Sequence, residues 1–182
     1  MGAGILPITI YNGKIYFLFG KENKYENFEC GWSDFGGGTD TNETFIETAC
    51  REGSEELTGF LGSASDIKKM LKHPYVIDYK DVSGKHNIYR THIFPLKYDP
   101  YLTFYYNNNQ QFLQKYLDPK IIKSSKIFEK EEIKWVCITD LKKMKKQFRL
   151  FYQNIIDIIL KNQKDIISHF QYIKNKNKTR KY

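Results

Sequence analysis

The sequence is poor in cysteine and has no long apolar run. Its three cysteines, Cys30, Cys50 and Cys137, show neither the spacing of a zinc site nor a short disulfide pairing. We therefore expect reduced, mostly buried thiols in a reducing compartment. No stretch approaches the roughly 20 apolar residues of a membrane span. The first residues also lack the charged start of a signal peptide, so a cytoplasmic protein without a membrane anchor is predicted.

Composition and charge limit the fold class and suggest a partner. Hydrophobic residues make up 41% and aromatic residues 16% of the 182 residues, which excludes global disorder and suits one domain with a sizeable core. The net charge of +8 is uneven, because residues 140–182 carry twelve Lys and Arg against three Asp. A basic C-terminal region indicates an anionic partner such as RNA, although a merely solubilising role is an alternative.

The most informative stretch runs from residue 30 to residue 60. Its pattern predicts a strand that ends at Phe35, a glycine turn at residues 36–38 and then a helix. Asp40 is followed three residues later by Glu43, a capping-box signature, so we expect the helix to begin just after Asp40. The helix should stop near Gly59, because glycine readily adopts the left-handed conformation of a helix C-terminus.

Three carboxylates share one face of this predicted helix. Glu52, Glu55 and Glu56 stand at positions i, i+3 and i+4. Like charges at this spacing repel, so they must be solvated, paired or neutralised by a metal ion. Arg51 can pair with only part of this charge. Because magnesium prefers oxygen ligands, the face is a candidate Mg²⁺ site, with a solvated acidic surface as the alternative.

The stretch resembles the Nudix hydrolase signature, G-x5-E-x7-R-E-U-x-E-E-x-G-U, in which U is apolar. Six fixed positions are occupied, by Gly37, Glu43, Arg51, Glu52, Glu55 and Glu56. Two positions depart from the signature. Gly53 stands where an apolar residue is expected, which should leave a packing gap and cost about 1 kcal/mol in a helix. Gly59 is displaced by one residue, but every carboxylate precedes this insertion, so we expect the metal face to survive.

The resemblance implies the Nudix fold, an α/β (α+β) arrangement with a mixed β-sheet sandwiched between α-helices. We expect a single domain over residues 1–170, with the Nudix box at residues 37–60. Helical spacing of apolar residues predicts an insertion at about residues 99–125 and a C-terminal amphipathic helix at about residues 147–170. Residues 171–182 are predicted to be a basic, disordered tail.

Other patterns place the remaining elements. Asn12-Gly13 between two apolar runs predicts a β-hairpin. Residues 75–79 and 88–96 should be antiparallel strands, and residues 127–141 the last strand. His86 and His92 could contact substrate, although a lone histidine is more often structural. The aromatic residues of the insertion could stack on a nucleobase, but core packing is the more common explanation.

The resemblance also implies roles for individual residues. The implied metal ligands are Gly37, Glu52, Glu55 and Glu56, for Mg²⁺ or for Mn²⁺ in its place. Arg51 and Glu43 are expected to orient these carboxylates. A loop before the last strand often supplies one more glutamate as metal ligand or general base. Glu129 is the first candidate and Glu132 the second.

Nudix hydrolases cleave nucleoside diphosphates linked to another group. We therefore predict a Mg²⁺-dependent pyrophosphohydrolase. The basic C-terminal region favours the 5′ cap or 5′ end of RNA as substrate, with Lys142, Lys143 and Arg149 as candidate contacts. The alternatives are a small substrate, such as ADP-ribose, a dinucleoside polyphosphate or a diphosphoinositol polyphosphate, and a module that binds nucleotide or RNA without catalysis.

Overall fold

The computed structural model describes residues 1–23, 30–80, 88–125 and 129–179, with backbone alone for residues 123 and 172–179. Within these ranges the strands are β1 (Gly2–Tyr11), β2 (Lys14–Glu22), β3 (Trp32–Ser33), β4 (Phe35–Gly38), β5 (Tyr75–Lys80), β6 (Ile88–Pro95) and β7 (Lys130–Cys137). The helices are α1 (Phe45–Glu56), α2 (Ala64–Met70), α3 (Pro100–Tyr116), α4 (Pro119–Ser124), α5 (Ile138–Met144), α6 (Leu150–Lys161) and α7 (Gln163–Thr179).

The strands form one mixed sheet. Its main path has the order β3-β2-β1-β6-β5, while β4 pairs with β1 and β7 pairs with β2. Strand β1 is parallel to β6, and the other pairings are antiparallel. Asn12 and Gly13 have φ angles of 48° and 71°, as a type I′ turn requires, so the predicted hairpin is confirmed. The predicted pair of strands at residues 75–79 and 88–96 is also confirmed, as β5 and β6.

Helices cover both faces of the sheet, because successive side chains of a strand point in opposite directions. Phe17 and Phe19 of β2 face a core that contains residues of α5, α6 and α7. Leu18 faces the other core, which contains residues of α1, α2 and α3. The predicted mixed sheet between helices is therefore confirmed. Cys50 and Cys137 are buried free thiols and Cys30 is an exposed one.

The predicted helical insertion is present as α3 and α4. Helix α3 packs through a narrow face that includes Tyr106, whose hydroxyl donates to the carbonyls of Glu56 (2.7 Å) and Lys130 (3.2 Å). Other aromatic side chains of α3 are 58–64% exposed. They are Tyr101, Phe104, Tyr105, Phe112 and Tyr116. Core packing, the favoured explanation of these aromatic residues, is therefore wrong for most of them.

An amide side chain attaches α3 to the edge of the sheet. Among the described strands β7 pairs only with β2, so no strand pairs with the backbone groups on its other edge. Asn107 donates to the carbonyl of Ile133 (3.1 Å) and accepts from its N–H (2.8 Å), as a neighbouring strand would. The insertion therefore protects an edge that could otherwise pair with another chain.

The C-terminal region differs from the prediction of one helix at about residues 147–170. The N–H of Arg149 donates to the carbonyl of Trp32 (3.1 Å), and this contact holds an extended segment against β3. Helix α6 begins after it, and a break at Asn162 separates α6 from α7. Helix α7 reaches Thr179, so the tail predicted to be disordered is helical over most of its length. Within the described residues, no helix is long and apolar enough to cross a membrane.

Candidate active site

The glycine triplet forms strand β4, where a turn was predicted. Space explains why these residues are glycines. A Cβ on Gly36 would lie 2.4 Å from Cα of Gly4 on the paired strand β1. A Cβ on Gly37 would lie 2.5 Å from Oε1 of Glu52. The absence of side chains therefore lets a carboxylate of α1 lie directly against the β4 backbone.

Helix α1 begins four residues later than predicted. Asp40 and Glu43 do interact, since the N–H of Asp40 donates to Oε2 of Glu43 (3.2 Å), but they form a turn. The helix begins at Phe45 with Thr44 as its N-cap, and Thr44 and Glu47 form the capping box. The sequence thus contains two capping patterns with the same spacing, and the second of them starts the helix.

The end of α1 accommodates the displaced glycine of the signature. Thr58 and Gly59 have φ angles of 47° and 75°. Their N–H groups donate to the carbonyls of Glu55 (2.8 Å) and Ser54 (2.9 Å), which is a Schellman motif. The extra residue is therefore absorbed after the last carboxylate, and the helix does stop near Gly59.

Gly53 leaves no packing gap, so that expectation was wrong. A Cβ at this position would lie 2.3 Å from Cδ1 of Ile5. The glycine allows α1 to lie close to β1, and Ile5 fills the space that an apolar side chain on α1 would otherwise take.

Arg51 connects the acidic residues of the box. Its Nε and Nη2 donate to the two oxygens of Glu43 (2.8 and 3.0 Å). Its Nη1 donates to Glu52 (2.8 Å) and Glu55 (3.3 Å), and Nη2 also donates to the carbonyl of Gly38 (3.1 Å). The hydrogen bond from Arg51 is the main reason that the pKa of Glu43 falls to about 2. This is the geometry expected of residues that orient Glu52.

Three carboxylates converge in space. Glu52, Glu56 and Glu129 each offer an oxygen atom, and these atoms lie within 4.8 Å of one another. Glu55, predicted to belong with its neighbours, is outside this group and its side chain is 49% exposed. Residues i and i+1 point about 100° apart around a helix, and the Glu55 carboxylate instead accepts a hydrogen bond from Nη1 of Arg51 (3.3 Å). Glu129, before β7, completes the group.

A buried lysine lies behind this group and was not predicted. Lys130 is fully buried. Its Nζ contacts Oε1 of Glu22, donates to Oγ of Ser33 (2.9 Å) and lies 3.2 Å from Oε1 of Glu56. Neither Glu22 nor Lys130 stands out in the sequence, since each lies at the end of a strand among other charged residues. Only the pairing of β2 with β7 brings them together.

Glu56 has an unusual electrostatic environment. Its Oε2 accepts the N–H of Gly36 (2.8 Å), and the side chain is almost fully buried. Burial raises the pKa of Glu56 well above its ordinary value; Lys130 opposes this rise, and the charges of Glu22 and Glu129 add to it. The negative charge of the carboxylates around Glu56 is therefore larger than the positive charge beside them. A divalent cation with oxygen ligands, such as Mg²⁺, fits this donor set.

A cleft of about 360 Å³ opens beside the glycine strand. Its lining combines glycine backbone, aromatic rings and one guanidinium group. The lining residues are Met1, Gly2, Gly36, Gly37, Gly38, Tyr79, Ile88, Tyr89, Arg149 and Phe151. The Arg149 guanidinium lies 5.0 Å from the centre of the Phe151 ring and 3.2 Å from Oε1 of Glu22. Arg149, one of the predicted substrate contacts, is thus part of this cleft.

Asp34 supports one wall of the cleft and was also missed. It accepts hydrogen bonds from the hydroxyls of Tyr89 (2.7 Å) and Thr91 (2.8 Å). Burial raises the pKa of Asp34 to about 6, although both hydrogen bonds act to lower it. The only sequence signal was an aspartate inside an apolar stretch, which suggests a buried partner without identifying it.

Other predicted site residues lie elsewhere. Glu132 lies on β7 opposite Lys21 and is not part of the carboxylate group. Lys142 and Lys143 are exposed on α5, beyond the other end of β7. The seven steps from Lys130 to Cys137 cover about 23 Å, so these lysines are remote from the carboxylates.

His92 is a structural residue of the sheet and does not belong to the carboxylate group. His92 is buried, and its Nδ1 lies 3.3 Å from the carbonyl of Gly4. Burial lowers the pKa of His92, which favours the neutral ring of a structural residue. His86 falls outside the described residues.

No protein-family model matches the chain. A stretch of 84 residues, 44% of the chain, is 37% identical to the uncharacterized protein L534 of Acanthamoeba polyphaga mimivirus, and it spans 27% of that protein.

Solved structures match over most of the chain at low identity. A Nudix hydrolase of M. smegmatis, RenU, has a TM-score of 0.52 at 14% identity and covers 91% of this chain and 86% of its own. A C. elegans Ap4A hydrolase has a TM-score of 0.54 at 16% identity, and the match covers 92% of this chain and 98% of the hydrolase. A bifunctional NMN adenylyltransferase/ADP ribose pyrophosphatase of Francisella tularensis has a TM-score of 0.51 at 19% identity. This match covers 88% of this chain and 41% of the bifunctional protein. The chain therefore has the fold of the Nudix hydrolases.

Proposed function

We propose that this chain is a Mg²⁺-dependent pyrophosphohydrolase that cleaves a phosphoanhydride bond in a nucleoside diphosphate linked to a second group. The observation that carries the proposal is the convergence of Glu52, Glu56 and Glu129 within 4.8 Å. Exposed acidic residues often cluster without a ligand, but Glu52 and Glu56 are only 9% and 4% exposed. Burying charge is costly unless it is compensated, which favours a cation site over a solvated surface.

The residues present fit the implied metal. All three carboxylates supply oxygen ligands, which Mg²⁺ prefers and Mn²⁺ also accepts. When bound, the ion would neutralise the diphosphate and lower the pKa of a coordinated water. Arg51 would hold Glu52 in place through the hydrogen bond of 2.8 Å. The β4 backbone would hold Glu56 through the N–H of Gly36.

The remaining steps fall to side chains around this group. We assign Glu129 to accept a proton from the attacking water, since it is the carboxylate of the group that does not belong to α1. Glu132 is less suitable because it lies apart from the group. Arg149 lines the adjacent cleft, where its guanidinium can contact a phosphate.

The cleft favours a small nucleotide as substrate. Its volume of about 360 Å³ and its aromatic lining suit one nucleoside or a similar ring. Two proteins of similar fold are named as an Ap4A hydrolase and an ADP-ribose pyrophosphatase. We therefore favour ADP-ribose or a dinucleoside polyphosphate. The RNA 5′ end has less support than the sequence suggested, because Lys142 and Lys143 are remote from the carboxylates.

A screen of substrates with a matched pair of variants tests this proposal. The wild type should release product from at least one substrate among ADP-ribose, dinucleoside polyphosphates, capped RNA and inositol pyrophosphates, and only with Mg²⁺ or Mn²⁺. Glu56→Gln should lower kcat on that substrate by at least about 100-fold. Glu47→Gln changes an exposed carboxylate of the same helix, where glutamine still suits a capping box, and should leave kcat unchanged.

Two results would contradict the proposal. Full activity of Glu56→Gln would show that the assigned site is wrong. Binding of nucleotide without phosphate release on any substrate would favour the non-catalytic module.

A further inference from the structure

Helix α3 has two faces of different character. One face packs on the domain and contains Tyr106 and Gln110, which are fully buried. The opposite face carries five aromatic side chains that are 58–64% exposed, and we name this surface the aromatic stripe. Its members are Tyr101, Phe104, Tyr105, Phe112 and Tyr116. At about 100° per residue these positions fall within about 120° of arc, so they form one continuous surface.

The rings of the aromatic stripe contact one another. The ring of Tyr105 lies 6.1 Å from that of Tyr101 and 5.2 Å from that of Phe104. The rings of Phe112 and Tyr116 lie 4.7 Å apart. Side chains that are already ordered lose little conformational entropy when a partner covers them, which favours binding.

The area of the aromatic stripe suits a protein interface. Phe and Tyr bury about 150–250 Å² each, so five such side chains at this exposure offer roughly 600 Å². Two copies that cover each other in this way would bury roughly 1,200 Å², the lower limit for a specific interface. An apolar patch of this size on a monomer is often a binding surface.

The charge of α3 indicates the kind of partner. Lys115 is the one charged residue among the 17 residues of α3, whereas 27% of the whole chain is charged. A partner rich in phosphate or carboxylate needs several basic side chains, which this helix does not offer. Two copies of this chain each carry a net charge of +8 and repel each other, so they meet most easily through a face with little charge.

The order of the aromatic stripe is the same from either end. Four of its members follow one another at spacings of four, seven and four residues. They are Tyr101, Tyr105, Phe112 and Tyr116. Their positions are therefore symmetric about the middle of α3, next to the exposed Asn108. This symmetry matches a two-fold interface, in which residue i of one copy contacts residue j of the other and j contacts i.

We propose that the aromatic stripe is a homodimer interface in which the α3 helices of two copies pack antiparallel across a two-fold axis near Asn108. Tyr101 of each copy then lies opposite Tyr116 of the other. Lys115, which is 5.4 Å from the Tyr116 ring of its own chain, then faces the first turn of the other helix, where Tyr101 offers a second ring. The proposal does not depend on the hydrolase activity.

Sedimentation equilibrium of the full chain over a range of concentrations tests this association. The mass should rise from one chain to two, with a dissociation constant of about 1–100 µM, because the interface is at the small end of specific ones. Added salt should strengthen the dimer, since it screens the repulsion between two basic chains. Binding of RNA has the opposite dependence on salt.

A charged pair of substitutions tests the position of the interface. Tyr105→Lys with Phe112→Lys brings four ammonium groups together at its centre and should weaken the dimer at least about 100-fold. Met70→Lys with Val76→Lys adds the same charge at exposed apolar residues outside α3 and should change the dissociation constant by less than about threefold. Melting temperatures check folding of both variants, since all four side chains are exposed.

A disulfide tests the symmetry. In a Cys30→Ser background, which removes the exposed thiol, oxidation of Asn108→Cys should link two chains. A disulfide requires Cα atoms closer than about 7 Å, a condition that two copies of one residue meet near a two-fold axis. Lys161→Cys, an exposed position on α6, should stay unlinked at the same concentration.

Three results would overturn the proposal. The first is a wild type that stays monomeric at every concentration; RNA binding that Tyr105→Ala and Phe112→Ala abolish would then assign the aromatic stripe to base stacking. The second is equal weakening of the dimer by the two lysine pairs, which would attribute association to total charge. The third is a dimer in which Asn108→Cys links no better than Lys161→Cys.

Discussion

Replacement of Lys130 by methionine is the most demanding test of the site. The ammonium group is fully buried and lies between Glu22 and Glu56, with Ser33 as a further partner at 2.9 Å. Methionine keeps most of the length and apolar character of the lysine side chain, so the change removes mainly the charge. Glu22 retains its ion pair with Arg149 at 3.2 Å. Glu56, in contrast, loses the cation that opposes the effect of burial on its carboxylate.

The expected cost follows from the burial of both carboxylates. Removing one partner of a buried ion pair costs about 3–5 kcal/mol, because the other charge stays buried without compensation. A domain of this kind is stable by about 5–15 kcal/mol in total. Lys130→Met should therefore lose a large fraction of the free energy of unfolding while still folding at low temperature.

Urea unfolding followed by circular dichroism measures this cost, and a second substitution tests its cause. Glu22→Gln removes one buried carboxylate and should be less harmful in the Lys130→Met background than in the wild type. A coupling free energy of at least about 1 kcal/mol between the two positions is expected. Saturating Mg²⁺ should recover part of the stability of Lys130→Met, because a bound cation replaces some of the lost charge.

Two results would refute this reasoning. An unfolding free energy within about 1 kcal/mol of the wild type would show that Lys130 does not compensate the buried carboxylates. Additive effects of the two substitutions would show that Lys130 and Glu22 do not act on each other.

Three further predictions follow from local contacts. Gly53→Ala should cost about 1–3 kcal/mol in urea unfolding, because its Cβ would lie 2.3 Å from Cδ1 of Ile5; an unchanged midpoint would contradict that contact. Thr44→Ala should cost about 1 kcal/mol through loss of the α1 capping box, whereas Thr44→Ser should retain the wild-type melting temperature. The raised pKa of Asp34, about 6, favours folding at low pH, and this contribution is lost as the pH rises from about 4 through 6. The stability of the wild type relative to Asp34→Asn should fall by up to about 3 kcal/mol over this range, and a flat difference would contradict the shift.

The sequence predicted the box residues better than their local structure. Arg51 and Glu43 interact as expected, because their spacing on and before one helix is a local property. The start of α1 was misplaced because two capping patterns compete, and local spacing does not decide between them. The glycine triplet predicts a turn, yet it forms strand β4, because the paired strand β1 lies too close for any side chain at Gly36.

Tertiary packing accounts for the other differences. Most aromatic residues of α3 are exposed although helical spacing suggested a core, because the helix contacts the sheet through one narrow face. Lys142 and Lys143 are far from the carboxylates although the charge of their region suggested substrate contact. Charge along a chain shows which region is basic, whereas the strand order shows what that region faces.

The hairpin and the helical spacing of Glu52 and Glu56 follow from the sequence by itself, because turn signals and periodicity act over a few residues, and the resemblance of the box to the Nudix signature indicated the fold. The sequence offered Glu55, Glu129 and Glu132 as further carboxylates, with Glu129 as the first candidate before the last strand, and the tertiary structure decided which of them joins Glu52 and Glu56. Glu129 is distant in the chain and Glu55 is adjacent, yet Glu129 completes the group. The reason is that neighbouring residues diverge around a helix, while the pairing of β7 with β2 places Glu129, just before β7, close to Glu52 and Glu56 of α1. The same pairing buries Lys130 between Glu22 and Glu56.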